Sequence, residues 1–235
     1  MKPHFLLITL LLLLSYKQNL AQRFRAGLTG GLTVTDIDGA DTRDDDVDFY
    51  KLGFTGGAFV NAQLNKKNSL QFEINYIQKG SLQPPDSLNN GFYKIDLGYI
   101  EVPLLFKHHV FFTMKKGLID KVDFGIGASV GRMVFKEVYG ASNNTLPGTD
   151  ELYNFTDVSL LAEIDYNFTK NFYFCFRYSN SLIPAVKKNA PYGSFLTYTF
   201  NRGNNMVFQF TFKFMFGGKK AEVAPPAIET DGQVN

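Results

Sequence analysis

Apolar and polar positions alternate with a period of two through most of the chain, and most sharply near its end. Met206, Phe208, Phe210, Phe212, Phe214 and Phe216 share one face, while Val207, Gln209, Thr211, Lys213 and Met215 share the other. That period belongs to a β-strand. Seven earlier stretches repeat it, with apolar faces running Phe24–Val34, Leu52–Ala62, Leu70–Tyr76, Ile100–Phe106, Val122–Val130, Val158–Phe168 and Phe172–Tyr178. In all eight the even-numbered residues are apolar and the opposite face is rich in Gly, Ser, Thr, Asn, Gln and charge. A strand walled with Phe on one side and lined with Gln, Thr and Lys on the other is satisfied by lipid outside and a crowded polar lumen inside. The pattern predicts an all-β fold, an eight-stranded antiparallel up-and-down transmembrane β-barrel over residues 23–216.

The connections alternate in length. Asn65–Asn68 and Thr169–Asn171 read as tight turns and Phe111–Asp120 as a medium one, with long polar stretches at Asp36–Tyr50, Gly80–Gly98, Tyr139–Tyr153 and Ile183–Asn204. Short turns belong on the periplasmic side and long loops outside, and an even strand count leaves both termini periplasmic. The turn at Thr169–Asn171 also sets a register. With even residues outward on both sides, Phe168 pairs with Phe172, Tyr166 with Phe174, Ile164 with Phe176, and Glu163 meets Arg177 in the lumen. Ser194–Phe200 alternates too, but it is too short to span and is expected to extend the wall outside the membrane. Arg132 has lipid-facing parity and lies roughly 25 Å above Val122, where it can snorkel to head groups.

Residues 1–22 read as a cleaved signal peptide: Lys2, an apolar run Phe5–Leu14 too short to cross a bilayer, and a polar stretch ending Ala21-Gln22. About 213 residues then remain, one domain. Residues 217–235, with Lys219, Lys220 and Pro225-Pro226, read as a disordered periplasmic tail. The net charge of +2 and the export signal give no reason to expect nucleic acid. Cys175 is the sole cysteine, so an internal disulfide is impossible; it is expected to pack in the lumen beside Arg177.

The segment Leu97-Gly98-Tyr99-Ile100-Glu101-Val102-Pro103-Leu104-Leu105-Phe106-Lys107 resembles the Tyr-Leu-Glu-Ile-Pro-Leu-Leu stretch of the PorT-like outer-membrane β-barrel family of Bacteroidota. Ala26-Gly27-Leu28, Gln71 to Gly80, Phe124 to Ala128 and Asn201-Arg202 are similar as well. The resemblance implies an eight-stranded outer-membrane barrel. The founding member belongs to a protein secretion and gliding machinery, and no residue here carries that role over.

Glu73, Glu101, Glu163, Arg177 and Lys213 fall at similar depths on their strands, so they are expected to interlock as a structural charge network in one luminal layer. Asp36, Asp38, Asp41, Asp44, Asp45, Asp46 and Asp48 offer oxygens to a calcium ion or a lipopolysaccharide bridge, but their spacing lacks the EF-hand pattern and suits a solvated loop. His108 and His109 point to opposite faces and cannot share a ligand. No nucleophile, catalytic histidine, metal or cofactor motif stands out. The expectation is a non-enzymatic barrel with no cofactor, its partners being outer-membrane lipid, lipopolysaccharide and other surface proteins. Two rivals are a soluble lipocalin-like barrel with its apolar face turned inward on a hydrophobic ligand, and an accessory of protein secretion.

Overall fold

The structure, a computed structural model, describes residues 24–40, 51–83, 93–114, 117–139, 153–187 and 200–216. The strands are β1 (Phe24–Ala40), β2 (Lys51–Gln63), β3 (Asn68–Gln83), β4 (Tyr93–Met114), β5 (Gly117–Tyr139), β6 (Thr156–Asn167), β7 (Phe172–Ser181) and β8 (Phe200–Met215). They pair in sequence order, all antiparallel, and β8 closes on β1. Closure removes both edges, so every strand finds a ladder on each side.

Two turns fix much of the register. In the first, the Asn65 side-chain carbonyl accepts from the backbone N–H of Lys67 and Asn68. In the second, Thr169 Oγ1 accepts from Asn171 and Phe172. The Thr169 turn sets Tyr166 opposite Phe174, Ile164 opposite Phe176 and Glu163 opposite Arg177, the register expected from parity.

Burial is inverted relative to a soluble protein. Leu52 is 71% exposed, Ile126 66% and Phe212 50%, whereas Glu73, Lys79 and Cys175 are 0% exposed. The apolar even-numbered face therefore points outward, and the lipocalin-like alternative, which needs that face inside, fails on this observation. Ring contacts run along the outer face of β7 and β8, where Phe172 and Phe212 stack at 5.4 Å and Phe176 and Phe208 at 5.8 Å.

Several strands outrun their expected limits. β3 continues past Tyr76 to Gln83, β4 starts at Tyr93 rather than Ile100, β5 reaches Tyr139 and β8 begins at Phe200. Beyond the outer apolar belt the alternation changes hands: Ile95 and Leu97 are buried inward, while Lys94 and Asp96 are partly exposed. Where water replaces lipid outside, the polar residues turn outward and the apolar ones fill the lumen. On β5 a bulge at Val134 does the same work, since Gly98 pairs with Phe135 but Tyr99 with Met133. The extra residue shifts parity, leaving Val134 and Phe135 both exposed and Val138 buried. The lumen is thus not polar throughout, contrary to the expectation from parity. Its long-connection end is closed by Ile37, Ile77, Ile95, Leu97, Tyr99 and Val207, covered by Tyr153, Ala185 and Val186. The cover is pinned by a Tyr153–Val186 bridge and by Ala185 N–H donating to Gly203 C=O.

Ser194–Thr199, the signal-peptide reading of 1–22 and the tail reading of 217–235 lie outside the described residues.

Candidate functional site

The lumen carries the chemistry. Ladder rows run obliquely round a closed barrel. From Arg177 the row through β6, β5 and β4 ends at Ser69 on β3, and from the neighbouring Cys175 the row through β8, β1 and β2 ends at Ile77. The stagger places Arg177 level with a point between them, and its partner across the lumen is Glu73.

Arg177 is the hub of the lower network. Its Nη1 and Nη2 donate to the two Glu73 oxygens at 2.9 and 2.7 Å, while Nε and Nη2 donate to Glu163 Oε2 at 2.8 and 2.6 Å. The planar guanidinium can bridge two carboxylates on opposite walls, which an ammonium cannot do with comparable geometry. Lys213 donates to Glu163 and Asp165, and Lys107 pairs with Glu163 at 2.9 Å and also with Asp165. Asn75 Nδ2 donates to Glu73 at 2.7 Å. Gly125 makes room for this, since a Cβ there would lie 2.6 Å from Glu163 Cγ. Three carboxylates face three cations, so the cluster is neutral despite its burial.

Four of the five residues singled out from sequence, Glu73, Glu163, Arg177 and Lys213, meet in this cluster. Glu101 does not join it. It sits higher, on β4 beside Gly131, and shares Lys79 with Asp157. The single-layer expectation fails because it ignored the stagger: equal depth on each strand is not equal height in the barrel. Sequence reasoning also left out Lys79, Lys107, Asp157 and Asp165. Their odd-numbered, inward parity was the available signal, and Lys79 was lost because β3 was ended at Tyr76.

Glu163, Asp165 and Cys175 bring ligand atoms within 4.8 Å of one another. Lys107, Lys213 and Arg177 already occupy those carboxylates, so a metal ion would have to displace buried cationic groups. Cys175 Sγ lies 3.4 Å from Glu163 Oε2, in the lumen as expected.

The remaining candidates lie at the ends. His108 Nδ1 is 2.7 Å from Asn68 Oδ1, and His109 contacts Asp123, so the two rings serve separate partners. Arg132 is exposed, bonds Thr156 at 3.3 Å and lies over the Phe155 ring. Asp36 is buried in β1 and accepts from Ser81 at 2.8 Å, while Asp41, Asp44, Asp45, Asp46 and Asp48 fall outside the described residues.

The family model described as "Outer membrane protein beta-barrel domain" matches residues 16–187. The chain belongs to this family. Solved structures similar to this outer-membrane barrel include Ail, the attachment invasion locus protein of Yersinia pestis, at 12% identity, covering 82% of this chain and 98% of that one with a TM-score of 0.44. Neisserial surface protein A is 14% identical, with coverages of 82% and 97% and a TM-score of 0.43. The outer membrane protein OprG of Pseudomonas aeruginosa is 11% identical, with coverages of 84% and 98% and a TM-score of 0.40. No curated protein matches the sequence.

Proposed function

We propose that this outer-membrane barrel is a non-enzymatic, non-conducting anchor that holds four long connections at the cell surface, where they bind lipopolysaccharide or other surface proteins. The observation that carries the reading is the filled lumen: an ionic cluster bridged wall to wall by Arg177 and, above it, an apolar cover of Tyr153, Ala185 and Val186. An eight-stranded lumen only just accommodates its own side chains, and here they are tied to one another across it. Within the family we place the chain in the PorT-like group on the strength of Leu97 to Lys107. In this reading residues 1–22 are removed on export, both termini are periplasmic, and Arg132 faces head-group phosphates.

Two measurements on one preparation test this. Reconstituted in planar bilayers, the protein gives no steady conductance steps. An epitope inserted at 84–92 is reached by antibody on intact cells, whereas one placed after Gly217 is reached only after the outer membrane is opened. Steady single-channel steps, or the reverse labelling, overturn the proposal.

A further inference from the structure

Above the neutral cluster lies a second ionic group with a different balance. Glu101 and Asp157 flank Gly131 on its two neighbouring strands, and both contact the single ammonium of Lys79. All three are buried, at 2%, 2% and 0% exposed. Among the described residues, two carboxylates here share one cation, leaving one negative charge without a counterion. An uncompensated charge in a protein interior costs several kcal/mol and is ordinarily neutralised.

A second observation falls just below this group. The stagger that brings Arg177 to Glu73 also puts Asn75, Glu101, Ser129, Ser179 and Gln209 on one level, just above Arg177. On that level Asn75 Oδ1, Ser129 Oγ, Ser179 Oγ and Gln209 Nε2 are buried polar atoms with no partner. Asn75 turns its Nδ2 down to Glu73, and its Oδ1 lies over Gly57 of β2, 2.3 Å from where a Cβ there would stand. Buried polar atoms are satisfied in folded proteins almost without exception, and such orphans just below one missing charge call for an occupant. A proton on Glu101 or Asp157 would supply the charge but leave the oxygens unsatisfied. A divalent ion would overshoot the balance and suits a richer set of carboxylates.

We propose that this level of the lumen binds one small monovalent cation of the sodium class. The carboxylate of Glu101 and the oxygens of Ser129 and Ser179 surround it, Asp157 adds its charge from above, and Gln209 Nε2 donates to a coordinating water. The site rests on the luminal geometry alone and does not depend on what the surface connections bind.

The test uses the full barrel in detergent micelles at pH 8, prepared in N-methylglucamine chloride, with sodium chloride replacing it at constant ionic strength. The thermal midpoint is read by circular dichroism and sodium binding by ²³Na line broadening. The midpoint is expected to rise by about 3–6 °C per tenfold sodium above the dissociation constant. Glu101→Gln, which removes the charge deficit, is expected to abolish both the rise and the broadening. Ser129→Ala, a milder change, should weaken sodium affinity about 3- to 10-fold. A wild-type midpoint indifferent to sodium but rising as pH falls shows that a proton balances the group and overturns the proposal. So does a sodium response that survives Glu101→Gln, or one unchanged in Ser129→Ala if the Gln variant does not fold.

Discussion

Arg177→Met cuts the lower network at its hub. Arg177 makes four hydrogen bonds to Glu73 and Glu163, all in a setting 3% exposed or less. Met keeps the unbranched apolar stem but leaves three carboxylates against the two ammonium groups of Lys107 and Lys213. Removing one partner of a buried ion pair costs about 3–5 kcal/mol, because the remaining charge stays desolvated and unpaired. In urea that corresponds to a fall in midpoint of about 2 M. The double variant Glu73→Gln/Arg177→Met restores two charges of each sign, and its loss is expected to be about 2 kcal/mol or less, smaller than that of either single change. The assay is reversible urea unfolding in phospholipid vesicles. Tyrosine fluorescence serves as the signal, since the chain has 12 Tyr and no Trp. If Arg177→Met costs under about 1 kcal/mol, or the double variant is no better than the single one, charge balance is not what holds this layer together.

Two further predictions concern the outer face and the far end of the barrel. Phe212→Arg places a charge midway on the exposed apolar face of β8 and is expected to cost about 2–4 kcal/mol in the same vesicle assay, against about 0–1 for Phe216→Arg at the rim. Beyond the apolar belt, burial raises the Asp96 carboxyl, but the ammonium groups of Lys51 and Lys94, at 2.8 and 2.7 Å, outweigh it and hold the group below the ordinary carboxylate range. Its folded value therefore lies below its unfolded one. The stabilisation is complete above the unfolded value of about 4 and is lost as pH falls through the lower folded value. Amide exchange at Lys94–Leu97 should accelerate across that acidic window in the wild type and much less in Lys51→Met; identical profiles would remove Asp96 from the account.

Strand number, pairing order and the outward face were legible because one rule, even residues outward, held across eight segments and because the Thr169 turn left a single register for β6 and β7. The ends were not legible, for a physical reason. Lys94-Ile95-Asp96-Leu97 alternates as cleanly as Ile100 to Phe106 but with the opposite parity, since water and not lipid lies outside it. Taken as loop, it hid the apolar cover and shortened β3, and Lys79 went with it. The partnership of Glu163 and Arg177 could be read from neighbouring strands and one turn. That of Arg177 and Glu73 could not, because it crosses the lumen and depends on the stagger of the closed barrel, a property of all eight ladders together. Glu101 was misplaced for the same reason.

The side of the wall that meets lipid is tested most directly by fluorescence quenching. The chain lacks Trp, so Phe212→Trp and Tyr99→Trp each carry a single reporter, one on the exposed face and one at 0% exposure in the lumen. In vesicles of phospholipid brominated on the acyl chains, strong quenching of the reporter at position 212 and little at position 99 is the result this structure requires. Strong quenching at 99 with little at 212 would show the barrel to be inside out.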